Sequence, residues 1–250
     1  MTLLPLRGMP LVEKGDDLVA HIVQGCAVNA IQLRDADVVV VAQKIVSKSE
    51  GRQVWLESVV PSNAALSLAE QTDKDPRLVE LILQESSEVV RSKPGVLITR
   101  HRLGHVGANA GVDQSNIDQS RGESVLLLPI DPDASANRIF QSLRSITNRN
   151  IGVVISDSSN RPWRLGTIGV AIGAANIRVL DDRRGLQDLF GNDLKVTLIN
   201  LADSIATAAS LLMGETTEQV PVVIVRGLTN PIGSDKASMA NRRIEEDLFR

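Results

Sequence analysis

Aromatic residues and cysteines are scarce in this chain of 250 residues. With two Trp, three Phe and no Tyr, the core must consist mainly of Val, Ile, Leu and Ala, and a surface that stacks nucleic-acid bases on aromatic rings is difficult to form. The single cysteine, Cys26, excludes an intramolecular disulfide and a cysteine-based zinc site. We expect Cys26 to be a small buried residue rather than a reactive thiol.

Long apolar runs and an excess of positive charge are also missing. No apolar segment approaches the ~20 residues that a membrane span requires, and the first residues lack the basic-then-apolar pattern of a signal peptide. The net charge is -3 and the basic residues are scattered, which argues against a nucleic-acid-binding surface. We therefore expect a cytoplasmic protein that binds neither nucleic acid nor membrane.

Short β-branched runs alternate with helical patterns, which predicts a mixed α/β fold. Most of the predicted strands are apolar throughout, a pattern typical of strands that are covered on both faces. The predicted strands are residues 38–42, 54–60, 96–99, 125–129, 151–156, 195–200 and 222–225.

Acidic residues mark the starts of three predicted helices. Asp75 and Asp131 each precede a proline, a pairing typical of an N-cap and the first helical position. Asp16 is predicted to cap an earlier helix, and a fourth helix over about 202–213 ends at Gly214. No Pro/Gly/Ser-rich linker divides the chain, so residues 1–250 are predicted to form one unit with a C-terminal tail from about 229.

Polar residues gather after the apolar segments, where ligands bind in open α/β proteins. The first cluster contains Gln43, Lys44 and Lys48, directly after the predicted strand 38–42. Lysine is a common partner of phosphate. This segment is therefore either a phosphate site or a solvated turn.

The second cluster, residues 108–116, combines small residues with Asp113 and Asn116. A carboxylate beside an amide suits a hard cation. The alternative is an Asx-turn, in which these side chains bond to their own backbone.

The third cluster follows the predicted strand 151–156 and is the strongest local signal. An acidic residue at the tip of a strand, here Asp157 followed by Ser158, can hold a metal ion that bridges phosphate oxygens. Arg161 and Arg164 could neutralise phosphate or grip a carboxylate. The alternatives are an ion pair within a loop, and a packing role for Trp163 between the two arginines.

The fourth cluster begins where the helix over about 202–213 ends. Glu215 could be a further carboxylate for the same cation, or part of a solvated helix end. Gly166, Gly169 and Gly173 do not match the dinucleotide fingerprint, and we expect them to mark close packing. His101 and His105 flank a turn, which we favour over a two-histidine metal site.

Segments along nearly the whole chain resemble the coenzyme F-420:L-glutamate ligase family (CofE). The matching segments are residues 8–12, 15–18, 42–51, 74–83, 109–116, 127–136, 156–173 and 226–228. The resemblance implies a mixed α/β enzyme with largely buried apolar strands and flanking helices. It would use GTP and Mn²⁺ or Mg²⁺, with K⁺ as an additional ion, to add L-glutamate to a deazaflavin coenzyme precursor through an acyl phosphate. It would also form a homodimer.

The resemblance also implies roles for individual residues. Catalysis would depend on Asp157, Arg161 and Arg164. The metal ligands would be Asp113, Asp157, Ser158 and Glu215. The nucleotide would contact Met9, Pro10, Leu11, Val12, Gln43, Lys44, Lys48, Asn116, Met213, Gly214, Glu215 and Thr216.

Three positions depart from the family pattern. Ser158 stands where Thr is usual and keeps the hydroxyl, so metal binding should survive. Asn160 stands where Gly is usual, and Gly107 stands where Cys is common. These two departures affect the expected identity of the acceptor substrate more than the expected reaction class. There are two alternatives to this function. The chain could be a related ligase with another carboxylate acceptor, or a non-catalytic homologue that binds the nucleotide.

Overall fold

The computed structural model describes residues 1–160 and 163–248 and has the predicted mixed α/β architecture. Its α-helices are α1 (Leu18–Val28), α2 (Gln43–Ser49), α3 (Asn63–Thr72), α4 (Pro76–Gln84), α5 (Pro132–Thr147) and α6 (Leu201–Met213). Its strands are β1 (Thr2–Pro5), β2 (Val38–Ala42), β3 (Gln53–Trp55), β4 (Ser86–Lys93), β5 (Val96–His101), β6 (Val106–Ala108), β7 (Ser124–Leu126), β8 (Gly152–Asn160), β9 (Thr167–Ala175), β10 (Leu180–Asp182), β11 (Leu198–Asn200) and β12 (Val222–Arg226).

A five-stranded sheet in the order β1-β12-β2-β8-β9 forms the centre of the protein. The β2 and β8 strands are parallel, with Ala42 opposite Ser156, and the other neighbours are antiparallel. Side chains alternate between the faces of a strand. Val39 and Val41 accordingly pack in the cluster with α1 and α5, whereas residues 38 and 40 pack in the cluster with α6. The prediction that the apolar strands are covered on both faces is confirmed for the runs 38–42, 151–156 and 222–225, and it is wrong for 195–200, whose residues are exposed or half-buried.

Glycine allows β9 to lie close to a helix on each side. A Cβ at Gly169 would overlap the backbone carbonyl of Ala206 in α6, and one at Gly173 would overlap that of Pro132 in α5. Close packing is therefore confirmed at these two glycines. It is wrong for Gly166, which is exposed, has nothing near its Cβ position and adopts a φ of +90°.

The remaining strands form smaller sheets beside the centre. The β4, β5 and β6 strands make an antiparallel sheet, and β3 pairs with β7. Together with α3 and α4 they enclose a separate cluster of buried apolar side chains. The β10 and β11 strands form a two-stranded ribbon. None of the helices within the described ranges is both long and apolar enough to serve as a membrane span.

The predicted helices after residues 75 and 131 and over 202–213 are confirmed, and Gly214 is the C-cap of α6. The predicted N-cap of α1, Asp16, is wrong by one residue, because Asp17 caps this helix. Asp17 accepts hydrogen bonds from the backbone of the first turn, whereas Asp16 accepts one from the backbone N–H of Glu13. Either carboxylate could cap the helix, so the entry path of the chain decides between them.

Several predicted strands are shorter in the structure. The 54–60 run ends at Trp55 because residues 56–58 form one 3-10 turn, and only 198–200 of the 195–200 run pairs with another strand. The predicted C-terminal tail packs against the body of the protein: Ala237 is buried, and the Asp235 carboxylate accepts from the Val179 backbone N–H. Asp247 pairs with Arg100 at 3.3 Å, and the Asn241 amide donates to the Leu103 carbonyl.

Candidate active site

A cavity of about 330 Å³ opens beyond the carboxyl ends of β2 and β8. It is bounded by segments that are far apart in the sequence: the loop before α1, the first turns of α2, the end of β8 and the loop after α6. Every residue that the resemblance assigns to the nucleotide lines this cavity. These residues are Met9, Pro10, Leu11, Val12, Gln43, Lys44, Lys48, Asn116, Met213, Gly214, Glu215 and Thr216.

The lysines are on a helix, so the alternative of a solvated turn is wrong. Lys44 and Lys48 are four residues apart on α2 and therefore lie on one face. The Lys44 Nζ pairs with Asp113 Oδ2 at 2.7 Å, and the Lys48 Nζ donates to the backbone carbonyl of Asn116 at 2.8 Å. Burial lowers the pKa of Lys48, and the positive charge of Lys44 adds to this effect. An anion in the cavity would relieve the repulsion between these two cations.

Gln43 and Ser47 occupy the buried face of the same helix. The Ser47 hydroxyl donates to Gln43 Oε1 at 2.9 Å, and both side chains are almost wholly buried. The Gln43 side chain also forms a hydrogen bond with the Asp157 carboxyl. Ser47 therefore holds the amide of Gln43 in the orientation that meets Asp157. Sequence reasoning missed Ser47 because its role depends on a helix that was not predicted.

Asp157 lies where β8 passes from buried to exposed residues. Burial raises the pKa of Asp157 to about 7; the nearby negative charge of Asp113 adds to the rise, whereas a hydrogen bond from the Ser158 backbone opposes it. Such a shift is typical of functional carboxyl groups. A cation next to both carboxylates would stabilise their charged forms.

Asp113 forms the Asx-turn that was its alternative interpretation. Its two carboxylate oxygens accept from the Ser115 backbone N–H at 2.8 Å and from the Ser115 hydroxyl at 3.0 Å. Burial tends to raise the pKa of Asp113, but the hydrogen bonds from Lys44 and Ser115 outweigh it, and the pKa is lowered. Asp113 does not line the cavity itself; it reaches the site through Lys44.

The donor atoms fit a hard cation, although they are not assembled around one point. Carboxylates and hydroxyls are the ligands that Mg²⁺ and Mn²⁺ prefer, and Asp157, Ser158 and Glu215 all line the cavity. Glu215 instead accepts from the Thr167 hydroxyl at 3.4 Å. Within residues 1–160 and 163–248, no three His, Cys, Asp or Glu side chains are grouped closely enough to hold a metal.

The arginine loop contributes little to the cavity within the described residues. Arg161 lies outside those residues. Arg164 is exposed and does not line the cavity, and the Trp163 side chain is 79% exposed. The alternative of a packing role for Trp163 between the two arginines stays a prediction, because Arg161 lies outside the described residues.

A second cavity, of about 90 Å³, lies on the other side of the β8 end. It shares Asp157 and Ser158 with the first cavity. Gly107 and Asn160, both of which depart from the family pattern, line this second cavity. The structure thus places these two departures together and next to Asp157.

His101 and His105 line the second cavity without forming a metal site. His101 Nε2 contacts Glu85 Oε2 at 3.2 Å, and its Nδ1 accepts from the Leu103 backbone N–H. Both ring nitrogens of His101 are occupied, which supports the turn interpretation. The ring of His105 has no hydrogen-bond partner among the described residues, and burial lowers its pKa to about 4.

Comparisons with known proteins extend along almost all of the chain. The family described as F-420-0:gamma-glutamyl ligase matches residues 8–227. The coenzyme F-420:L-glutamate ligase of Methanothermobacter thermautotrophicus is 45% identical over 227 residues, which are 91% of this chain and 89% of that protein. The protein of the same name from Methanopyrus kandleri is 43% identical over 254 residues, covering 99% and 98% of the two chains. The one from Methanocaldococcus jannaschii is 42% identical over 218 residues, covering 87% and 86%.

Proposed function

Because this chain belongs to the F-420-0:gamma-glutamyl ligase family, we propose that it joins L-glutamate to a carboxylate of a coenzyme F-420 precursor, at the expense of GTP. The observation that carries the proposal is the first cavity. Lys44 and Lys48, Asp157 and the loop after α6 come from separate parts of the sequence and meet at one place beyond the ends of two parallel strands.

The reaction divides into two steps. An oxygen of the acceptor carboxylate attacks the γ-phosphorus of GTP, the bond to the bridging oxygen breaks, and GDP leaves. The amine of L-glutamate then attacks the carbonyl carbon of the acyl phosphate, and inorganic phosphate leaves. The protein needs no nucleophile of its own for this sequence, because it positions the substrates and offsets their charge.

The described residues can supply this positioning. Lys48 contacts a backbone carbonyl rather than a carboxylate, so its positive charge is available to a phosphate group. Lys44 lies one helical turn from Lys48 on α2. We propose that its ammonium group contacts the same triphosphate. Gln43 orients Asp157 at the end where the phosphoryl group would be transferred. Arg161 and Arg164 remain proposed partners of the substrate carboxylates.

We propose Mn²⁺ or Mg²⁺ as the metal and K⁺ as an additional ion. Asp113, Asp157, Ser158 and Glu215 would hold the divalent ions. Bound there, a divalent ion would neutralise charge on the nucleotide phosphates. The low pKa of Asp113 keeps that carboxylate ionised and suited to this role.

We also propose a homodimer located in the cytoplasm. The ribbon of β10 and β11 and its connecting loop expose large apolar side chains: Leu189 is 99% exposed, Phe190 90% and Val196 85%. Apolar patches of this kind mark protein interfaces. A second copy of the chain is the partner that the family resemblance implies.

The activity is tested by incubating the purified chain with Mn²⁺, L-glutamate and the F-420 precursor, with GTP, with ATP or without nucleotide, followed by mass spectrometry. We expect a product heavier by one or more glutamyl units with GTP only. Asp157→Asn should abolish most of the product and keep the wild-type circular-dichroism melt, because it removes a carboxylate charge and little volume. Global unfolding of this variant would make Asp157 structural.

Two other outcomes would replace the proposal. GTP-dependent turnover with a different carboxylate acceptor would indicate a related ligase, the alternative suggested by the departures from the family pattern at Gly107 and Asn160. Binding of GTP without turnover under any condition would indicate a non-catalytic homologue.

A further inference from the structure

The two cavities meet at the end of β8. Asp157 and Ser158 belong to the walls of both, and no other residue is shared between them within the described part of the chain. If the phosphates of a nucleotide lie beside Lys44 and Lys48 in the first cavity, the acyl group that receives the phosphoryl group lies next to this shared pair. The second cavity, which no described lysine lines, then lies next to the acyl carbon.

The charges that line the second cavity favour a cationic group. Its described lining residues include no lysine or arginine, and Asp157 is their one carboxylate. His105 is neutral near pH 7 because burial lowers its pKa to about 4, and its ring nitrogens are unoccupied by described residues. A carboxylate or phosphate would find no counter-charge from these residues. An amino group would find a carboxylate and an imidazole that can accept a hydrogen bond.

The size of the cavity limits what can enter. Its volume is about 90 Å³, against 330 Å³ for the first cavity. Its walls include small residues such as Gly107, Ala108 and Ala110. There is room for an amino group and the carbon that carries it, but the carboxylates of a dicarboxylic amino acid would remain outside.

We propose that the second cavity receives the amino group of the amino-acid substrate and directs it toward the acyl carbon beside Asp157. This inference rests on the proposed ligase activity. The ammonium group releases one proton to become an amine, and the amine nitrogen then bonds to the acyl carbon. The bond from that carbon to the phosphate oxygen breaks and phosphate leaves. The nitrogen gives up a second proton, so that one amide N–H remains.

Gly107 offers a way to fill this cavity selectively. It lies in β6 opposite Thr99, and a Cβ built on it meets no atom closer than the Ser159 hydroxyl at 4.0 Å. A Cβ at this position therefore meets no close contact, and the backbone is not in the left-handed region that would strain another residue. The series Gly107→Ala, Gly107→Val and Gly107→Leu increases the filled volume in steps. Ser92→Leu is the matched control, because it adds the same side chain at an exposed position of the same sheet.

Steady-state kinetics should separate the three substrates. We expect the KM for L-glutamate to rise along the series, by about tenfold or more for Gly107→Leu. The KM values for GTP and for the acceptor should stay within about twofold of wild type, as should all three in Ser92→Leu. Melting curves identify a variant that fails to fold, in which case Gly107→Ala and Gly107→Val carry the test.

Hydroxylamine provides a second measurement, because it traps an acyl phosphate as a hydroxamate when glutamate is omitted. Gly107→Leu should retain trapping, since hydroxylamine is smaller than an amino acid, while amide formation falls. A rise in the KM of the acceptor instead of glutamate would overturn the proposal and assign the cavity to the acceptor. Unchanged kinetics in Gly107→Leu would also overturn it. Failure of the wild-type chain to ligate glutamate would instead contradict the proposed function.

Discussion

Ser47 shows how a residue outside the cavity can control a residue within it. Its hydroxyl donates to Gln43, whose amide bonds to Asp157. Ser47 is not part of the cavity wall and is fully buried, so its effect on the reaction must pass through Gln43. Removing the hydroxyl leaves the Gln43 oxygen without a donor and frees the amide to turn.

We predict that Ser47→Ala lowers kcat by about tenfold, equivalent to one buried hydrogen bond, with a smaller effect on the KM for GTP. Ser49→Ala is the control, because Ser49 is on the same helix and its hydroxyl bonds only to the Val46 carbonyl. Steady-state kinetics of both variants, with a thermal melt of each, provide the comparison. Equal kcat values for the two variants would remove Ser47 from the site.

Lys48 provides a test of the nucleotide site at the same scale. We predict that Lys48→Ala raises the Kd for GTP by about tenfold, the size expected for one charged hydrogen bond. Lys195→Ala, at an exposed position in the loop between β10 and β11, should leave the Kd unchanged. Isothermal titration calorimetry measures both. An unchanged GTP affinity in Lys48→Ala would show that this lysine does not contact the phosphates.

At the scale of secondary-structure elements, Glu85 joins the end of α4 to neighbouring segments. Its carboxylate contacts Arg52 at 2.9 Å, His101 at 3.2 Å and Arg102 at 3.3 Å. Burial tends to raise the pKa of Glu85, but the hydrogen bonds from His101 and Arg52 outweigh it and lower the pKa to about 2. The charged form of Glu85 therefore stabilises the folded protein.

The sign of this shift predicts a pH dependence of stability. The folded pKa is about 2 and the ordinary value is 4.5, so the contribution is present above pH 4.5 and is lost as the pH falls toward 2. Glu85→Gln should reduce the free energy of unfolding at pH 7. The difference in unfolding free energy between this variant and the wild type should become smaller at low pH. Urea unfolding at several pH values measures this. Glu70→Gln, at an exposed position, should have nearly the wild-type free energy of unfolding at every pH measured.

The elements that the sequence predicted well are those with strong local signals. Proline after an acidic N-cap located α4 and α5, and uniformly apolar runs located β2, β8 and β12. The missed helix α2 has seven residues and no side-chain cap, so nothing local distinguishes it from a turn. The missed strand β9 is rich in glycine and alanine, which its close packing between α5 and α6 requires. Tertiary contacts outweigh local propensity there.

At the scale of the whole molecule, the loop that connects β10 and β11 carries exposed apolar side chains, which the proposed dimer would cover. Phe190 and Leu189 are almost entirely exposed. We predict that wild-type protein has the mass of a dimer in light scattering, and that Leu189→Ser combined with Phe190→Ser shifts it toward the monomer. Val60→Ser changes a residue that is 86% exposed outside the ribbon and should leave the mass unchanged. A monomeric wild-type chain would contradict the prediction.

By itself, the sequence determined the mixed α/β class, the buried apolar strands and the family, because caps, apolar runs and motifs are properties of short segments. Through the family pattern it also indicated many of the residues that line the first cavity. Only the tertiary structure decided how they meet. Pairing of β2 with β8 places Ala42 beside Ser156, and this brings α2 against Asp157. The second cavity likewise depends on contacts between distant segments, because its walls come from β5, β6, β8 and β9.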